Sequence, residues 1–186
     1  MQPDRKYQII YADPPWSYRN KRTGGSMKSG AAAKYAILTT EQICQLPVKE
    51  IAGRNSVLFL WATVPLLPEA FEVMNAWGYK YKTMLTWRKI MSLGMGFWFR
   101  GQLEHLLLGV KGKVKAFRIQ KPNFIQCKVG RHSEKPEEFR QLIEMTKLQP
   151  RLELFARQKT PGWDVWGNGV DSDIELTQGR DARICK

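Results

Sequence analysis

The sequence has 186 residues and a formal net charge of +13, from 30 Lys and Arg against 17 Asp and Glu. A chain of this length usually forms one domain, so a second full domain is not expected. The positive excess favours a polyanionic partner, with nucleic acid the leading class. Because 43% of the residues are hydrophobic and 11% are aromatic, the chain can fill a core, which excludes a disordered basic tail.

Signals for membranes and metals are weak. No apolar run approaches the roughly 18 residues that span a bilayer, and the first residues lack the apolar stretch of a signal peptide. Cys44, Cys127 and Cys185 have no short spacing and only two histidines accompany them, so zinc and disulfides are both disfavoured. We therefore expect a soluble, cytoplasmic protein without a metal and without membrane binding.

Short apolar runs alternate with helical patterns along the chain, which predicts an α/β fold. Several runs are continuously apolar, as in a mostly parallel sheet with helices on both faces. The predicted strands are Tyr7–Ala12, Ser56–Trp61, Lys82–Trp87, Glu104–Val110 and Arg151–Ala156. The predicted helices are Thr40–Leu46, Leu66–Trp77 (ended by Gly78) and Ser133–Lys147.

The last helix has the clearest predicted boundaries. Ser133 is its N-cap candidate, Pro136 fits the first turn, two glutamates follow at the positive end, and Lys147 suits the negative end. Residues 17–34 and 88–101 fit neither element type and predict long functional loops. We expect one domain over residues 1–170, followed by a weakly ordered polar tail over 171–186 that the chemistry does not need.

The strongest chemical signal is Asp13-Pro14-Pro15-Trp16, directly after the first predicted strand. Ligands of open α/β sheets bind beyond the carboxyl ends of the strands. Adenine's exocyclic amine is a poor nucleophile, and an enzyme that methylates it must hold both amine hydrogens; Asp13 and the Pro14 carbonyl are two suitable acceptors. The prolines stiffen the turn, and Trp16 or Tyr18 offers a face for an extruded base. The alternative for the tetrapeptide alone is a structural turn with a buried Trp.

Five blocks in order resemble the MT-A family of S-adenosylmethionine-dependent adenine-N(6) methyltransferases, which includes the catalytic subunit of the eukaryotic mRNA adenosine methyltransferase and many bacterial and phage members. The resemblance runs from about Tyr7 to Val170. The blocks are residues 12–16, residues 104–112 (Glu-His-Leu-Leu-Leu-Gly-Val-Lys-Gly), residues 132–136 (His-Ser-Glu-Lys-Pro), residues 153–157 (Glu-Leu-Phe-Ala-Arg), and Gly162-Trp163 with Trp166-Gly167-Asn168. The resemblance implies a Rossmann-like methyltransferase fold with permuted motif order.

The same resemblance implies the cofactor site. Asp13 would lie beside S-adenosylmethionine, and Lys135 would reach the cofactor or the reacting nucleotide. Glu153 and Arg157 would lie at the end of the cofactor strand, and Asn168 would contact the ribose or adenine of the cofactor. A carboxylate at a strand end can bind a ribose diol, whereas in isolation Glu153 would be an exposed partner of Arg157 or Arg151, and Lys135 a solvated lysine.

The sequence departs from the eukaryotic pattern in three ways. Lys159-Thr160 stands where those enzymes carry His-Asn, Gly169 stands where they carry Gln, and zinc fingers are missing. The first two departures bear on the ribose contacts. The third means that the grip on the substrate must come from the domain itself, from a second copy in a homodimer, or from a partner subunit.

Basic residues locate the predicted nucleic-acid contacts. Residues 19–34 and 111–131 are rich in Lys and Arg and contain no acidic residue, which suits phosphate neutralisation; solubilising charge runs are the alternative. The loop 88–101 adds aromatic side chains that either wedge into a duplex or form a dimer contact. The predicted contact residues are Tyr18, Arg19, Lys21, Arg22, Lys28, Arg88, Lys89, Arg100, Lys111, Lys113 and Lys115.

The sequence therefore predicts methyl transfer from S-adenosylmethionine to the N(6) amine of adenine. DNA is the preferred substrate, since a compact basic member without fingers resembles the bacterial and phage forms. An RNA adenosine methyltransferase is the first alternative. A catalytically inactive nucleic-acid-binding scaffold of the same fold is the second, against which the intact residues 13–16 argue.

Overall fold

The structure is a computed structural model and describes residues 5–17, 37–90, 94, 98–130 and 134–176. The strands are β1 (Tyr7–Ala12), β2 (Ala52–Thr63), β3 (Lys80–Ile90), β4 (Leu103–Lys111), β5 (Phe124–Lys128), β6 (Arg151–Leu154) and β7 (Asp164–Trp166). The helices are α1 (Thr40–Cys44), α2 (Val48–Ile51), a 3-10 turn (Val64–Leu66), α3 (Leu67–Ala76) and α4 (Glu137–Glu144). Within these ranges, no helix is both long and apolar enough to cross a membrane.

The strands form one sheet in the order β5-β3-β4-β2-β1-β6-β7. Four neighbouring pairs are parallel, and β4 alone runs antiparallel to both of its neighbours. The mostly parallel Rossmann-like sheet is therefore confirmed. Since β4 is reversed, its first residues, not its last, lie at the edge where the other strands end.

All five predicted strands are present: β1 has the predicted bounds, β2, β3 and β4 extend beyond theirs at both ends, and β6 is shorter, while two further strands were not predicted. Strand β6 ends at Leu154, not at Ala156, because Phe155 adopts a positive φ of 63°. The sequence did not predict β5, whose side chains alternate between exposed and half-buried at the sheet edge, or β7, which has only three residues. Both lack the continuous apolar run of a central strand.

Helix α4 begins later than predicted. It starts at Glu137 with Pro136 at the N-cap in an extended conformation, so Pro136 precedes the first turn, and it ends at Glu144. Because a residue before proline avoids helical backbone angles, Lys135 is disfavoured as a helical residue. The predicted cap, Ser133, falls outside the described residues.

Two apolar clusters cover the two faces of the sheet, which confirms the prediction of helices on both sides. On one face Ile10, Leu58 and Leu152 pack with residues of α1, α2 and α3. On the other face Tyr11 and Trp61 pack with Phe139 and Ile143 of α4. The alternation of neighbouring residues such as Ile10 and Tyr11 between clusters follows the period of two in a strand.

The first part of the predicted tail packs against the domain. The Asp173 carboxylate accepts a hydrogen bond from the Val165 amide at 2.9 Å and pairs with Lys159. Ile174 and Leu176 contact the first apolar cluster. Residues 171–176 therefore make specific contacts with the domain, while residues 177–186 lie outside the described part of the chain, and the boundary at residue 170 stays a prediction.

Substitution of Phe139 by Ala is expected to destabilise the fold by about 3–5 kcal/mol, because a fully buried aromatic leaves a cavity. Phe139 is the residue of α4 whose ring packs edge-to-face on Trp61 at a centroid distance of 4.8 Å. The free energy of unfolding in urea measures the effect. Gln141→Ala, at an exposed position of the same helix, is the control and should stay within about 0.5 kcal/mol of the wild type. Equal effects of the two substitutions would contradict this packing.

Candidate active site

The register of the sheet brings the candidate residues to one edge. Ala12, the last residue of β1, pairs with Leu60 of β2. Three residues further along β2, Thr63 pairs with Glu104 of the reversed strand β4. Asp13 and Glu104 therefore reach the same edge from opposite chain directions, at the carboxyl ends of the parallel strands where ligands of such sheets bind.

Backbone hydrogen bonds fix the turn that carries Asp13. The Pro15 carbonyl accepts from the Leu38 amide, and the Ser17 amide donates to the Leu38 carbonyl, both at 3.0 Å. The Pro14 carbonyl accepts from the Trp16 amide at 2.9 Å, which leaves one of its two lone pairs for a ligand.

Trp16 is held by the protein itself. Its indole Nε1 donates to the Trp61 carbonyl at 3.0 Å, and its ring packs partly against the first apolar cluster. This arrangement stiffens the turn. The base-stacking role assigned to Trp16 stays a prediction, and its alternative, Tyr18, falls outside the described residues.

Lys135 joins two carboxylates at the centre of the site. Its Nζ lies 2.9 Å from Asp13 Oδ1 and 3.3 Å from Glu104 Oε2, and it sits 5.2 Å from the centre of the Trp61 ring. Only 14% of the side chain is exposed. Burial alone would lower the pKa of Lys135, but the charges of Asp13 and Glu104 outweigh it and raise that pKa. Lys135 is therefore a paired ammonium, not a solvated surface lysine.

Glu104 extends this pairing towards β3. One carboxylate oxygen binds Lys135, and the other is hydrogen-bonded to Nζ of Lys89. Burial acts to raise the pKa of Glu104, yet the two lysines hold it below the ordinary value. Asp13, Lys135, Glu104 and Lys89 thus form a chain of alternating charge, which we call the charge chain.

Glu153 lies under α4 and is paired with a residue that the sequence did not indicate. Arg140 Nη2 is 2.9 Å from Glu153 Oε2. Burial raises the pKa of Glu153; Arg140 opposes this shift, and the charges of Asp13 and Glu137 add to it. Glu153 is therefore not an exposed carboxylate: only 16% of its side chain is exposed, and it pairs with Arg140 of α4.

Arg157 and Asn168 follow the carboxyl ends of the neighbouring parallel strands β6 and β7, and both are exposed. The loops that carry them approach closely, because the Ala156 amide donates to the Trp166 carbonyl at 3.0 Å. A Cβ at Gly167 would lie 2.1 Å from the Ala156 carbonyl oxygen, so this approach requires glycine. The cofactor roles of both residues stay predictions.

The predicted nucleic-acid contacts separate into two groups. Arg88 and Lys89 lie near the end of β3 at the edge that carries Asp13, and exposed Arg100 lies in the connection to β4. Lys111 pairs with Ser56, seven residues along β4 from Glu104, or about 23 Å at the usual rise. Lys113 follows it at the opposite edge of the sheet, where its amide donates to Asn55 Oδ1 at 2.8 Å, and exposed Lys115 lies further along the connection to β5. Tyr18, Arg19, Lys21, Arg22 and Lys28 lie outside the described residues.

Sequence reasoning missed Glu104 and Arg140 as site residues. Glu104 opens one of the five blocks, so its place in a motif was the signal that could have identified it. Arg140 belongs to no block, and only the packing of α4 on β6 reveals it. In the described part of the chain, no group of three or more His, Cys, Asp and Glu residues could hold a metal ion.

Comparisons with known proteins identify a family and several similar methyltransferases. The model of the MT-A70 family matches residues 7–169. The chain is 34% identical to "Type II methyltransferase M.MunI" of a Mycoplasma species, over 95% of this chain and 84% of that protein. It is 29% identical to "N(6)-adenosine-methyltransferase catalytic subunit METTL3" of Homo sapiens, over 89% of this chain but 28% of that protein. A similar match, at 28% identity, covers 29% of a "Putative N(6)-adenosine-methyltransferase MT-A70-like" protein of Medicago truncatula.

The family match covers the turn at Asp13, the charge chain and the strand that carries Glu153. The chain belongs to the MT-A70 family of methyltransferases.

Proposed function

We propose that this protein transfers a methyl group from S-adenosylmethionine to the N(6) amine of adenine in DNA. The observation that carries the proposal is the hydrogen-bonded turn after β1, which holds the Asp13 carboxylate 2.9 Å from the Lys135 ammonium and carries the Pro14 carbonyl one residue further along. Two fixed acceptors suit an amine that has two hydrogens to donate.

The described residues suit the methyl donor. S-adenosylmethionine carries a carboxylate, an ammonium, a sulfonium and a ribose diol. Lys135 can bind a carboxylate, while Asp13 and Glu153 can accept from an ammonium or a diol. Asp13 is close enough to Glu153 to raise its pKa, so these acceptors belong to one site.

The chemistry requires orientation more than acid or base strength. S-adenosylmethionine, when bound, supplies an electrophilic methyl group. Asp13 and the Pro14 carbonyl accept the two amine hydrogens and so turn the nitrogen lone pair towards that methyl group. As the N–C bond forms and the S–C bond breaks, the nitrogen gains a positive charge that Asp13 stabilises. Asp13 then accepts the proton that the methylated amine releases. Such placement of groups lowers the barrier without a metal or a strong base.

One observation supports DNA as the substrate, and a second supports nucleic acid in general. The relative that the chain matches over most of both lengths is named a Type II methyltransferase, whereas the N(6)-adenosine methyltransferases match over less than a third of their length. In addition, Trp98 and Phe99 are 93% and 89% exposed between β3 and β4. Residues 88–103 there contain three basic residues and no acidic one, which favours contact with nucleic acid over contact with a second copy of this basic chain.

Substitution of Asp13 by Ala is expected to reduce methyl transfer by roughly 10²–10³-fold or more, because one of the two orienting acceptors and its charge are lost. Binding of an oligonucleotide should remain within a few-fold of the wild type. Asp13→Asn, which keeps the size of the side chain, should lose transfer as well. Thermal unfolding identifies a variant that has failed to fold, and near-normal transfer by a folded variant would remove Asp13 from the mechanism.

Transfer of a labelled methyl group from S-adenosylmethionine identifies the substrate. The acceptors to compare are double-stranded DNA, single-stranded DNA and RNA of matched sequence. We expect label in DNA, recovered as N(6)-methyladenine by nucleoside analysis. Label in RNA alone would overturn DNA as the substrate and indicate an RNA methyltransferase, because the matched strands differ in their 2′-hydroxyl groups. Cofactor binding without transfer to any pool would indicate a missing partner subunit or target sequence, and neither binding nor transfer would favour the inactive scaffold.

The two basic groups are expected to differ in their contribution to DNA binding. Arg88→Ala and Arg100→Ala, at the edge of the candidate active site, should each reduce the salt dependence of the binding constant by about 0.9 in log–log slope. Lys111→Ala, at the opposite edge, is the matched control and should leave the slope unchanged. Fluorescence anisotropy at several salt concentrations measures the slopes. Equal effects of the three substitutions would mean that DNA also contacts the edge that carries Lys111.

A further inference from the structure

Arg140 of α4 occupies a position that links the outer helix to the candidate cofactor strand. Its guanidinium contacts three sheet-side groups: the Glu153 carboxylate at 2.9 Å, the Tyr11 ring at 5.4 Å and the Trp163 ring at 5.1 Å. The side chain is 12% exposed. Tyr11 and Glu153 are direct partners in the pairing of β1 with β6, so Arg140 lies over neighbouring strands one residue before both end.

The pairing does not satisfy Arg140 completely. Nη2 binds Glu153, but Nη1 is buried without a hydrogen-bond partner among the residues that the structure describes. A buried donor without a partner is destabilising, and a buried ion pair is weak evidence for stability. Stability alone therefore gives a poor account of this arginine.

We propose that Arg140 is a positioning residue that orients the Glu153 carboxylate and keeps it charged for the methyl donor. The inference rests on the proposed function, in which Glu153 accepts hydrogen bonds from S-adenosylmethionine. Arg140 touches neither substrate nor cofactor in this role and acts through Glu153. A carboxylate that becomes protonated loses its charge and one acceptor site, and it then binds an ammonium or a diol less tightly.

The groups around Glu153 determine the direction of the pH effect. Arg140 and Glu137 face it from α4, Asp13 faces it from the turn after β1, and Tyr11 lies beside it on β1. Burial, Asp13 and Glu137 raise the pKa of Glu153, and Arg140 is the group that lowers it. Loss of Arg140 would raise this pKa further, so the carboxylate would become protonated at a higher pH.

The test measures binding of S-adenosylmethionine by calorimetry from pH 5 to 8 in the wild type and four variants. In Arg140→Met, which keeps an apolar stem over Tyr11 and Trp163, affinity should be lost at a pH about one unit or more above that of the wild type, as an opposite charge near a carboxyl shifts its pKa by about 1–3 units. In Arg140→Lys, the pH at which affinity is lost should move most of the way back to that of the wild type. Glu153→Gln should weaken binding and abolish the pH-dependent loss.

Arg151→Met is the matched control. Arg151 is another buried arginine of this face, 5.8 Å from the Trp163 ring and 3.9 Å from Glu144, and it has no ion pair with Glu153 among the described contacts. This variant should bind the cofactor with the wild-type pH profile even where its melting temperature falls.

The outcomes separate the inference from the proposed function. Wild-type binding with an unchanged pH profile in Arg140→Met would overturn the role of Arg140 and leave the proposed function intact. Equal shifts in Arg140→Met and Arg151→Met would also overturn it, because a general loss of structure would then explain both. Absence of cofactor binding by the wild type would instead overturn the proposed function. If Arg140→Met fails to fold, Arg140→Lys and Glu153→Gln test the inference. It would be overturned if Glu153→Gln lost affinity for S-adenosylmethionine with the same pH dependence as the wild type.

Discussion

The enclosure of the Lys135 ammonium between Asp13 and Glu104 is the interaction on which the candidate active site depends. Removal of a charge from water costs several kcal/mol unless close partners compensate, so Lys135 remains an ion at this place only while both carboxylates face it. The three groups come from the turn after β1, from β4 and from the segment before α4. Their pairing therefore fixes three distant parts of the chain relative to one another, and in particular fixes the carboxylate proposed to orient the amine.

The reversed direction of β4 makes this enclosure possible. In a fully parallel sheet, Glu104 as the second residue of its strand would lie at the amino edge, on the opposite side from Asp13. Because β4 is antiparallel to β2 and β3, its amino end reaches the edge where β1 and β3 terminate. Glu104 then meets Lys89 of β3 on one side and Lys135 on the other. Strand direction, which periodicity does not reveal, thus sets the electrostatics of the site.

Sequence patterns predicted those parts of the fold and site whose signals are local. The central strands are apolar runs and Asp13 directly follows one of them, whereas Lys135 and Glu153 were indicated by motif blocks that resemble the MT-A family. The pairing of Arg140 with Glu153 depends on how α4 packs on the sheet. The separation of Lys111 from Arg88 depends on which edge of the sheet each residue reaches. A cluster of charged residues in the sequence does not show at which edge of the sheet those residues will lie. The start of α4 was misplaced because a serine with cap chemistry outweighed the restriction that Pro136 places on the residue before it.

The balance of charge gives the site a way to exchange partners at low cost. Asp13, Glu104 and Glu153 pair with Lys135, Lys89 and Arg140, and the more exposed Glu137 is a second partner of Arg140. Under the proposed function, the carboxylate of the methyl donor can take the place of Asp13 at Lys135 while Glu104 keeps its contact. Lys135 then retains two negative partners, and Asp13 becomes free to accept from the adenine amine. Donor binding would in this way prepare the acceptor for the second substrate, because the buried Lys135 ammonium keeps two negative partners and the partly exposed Asp13 carboxylate exchanges its cation for the hydrogens of the amine.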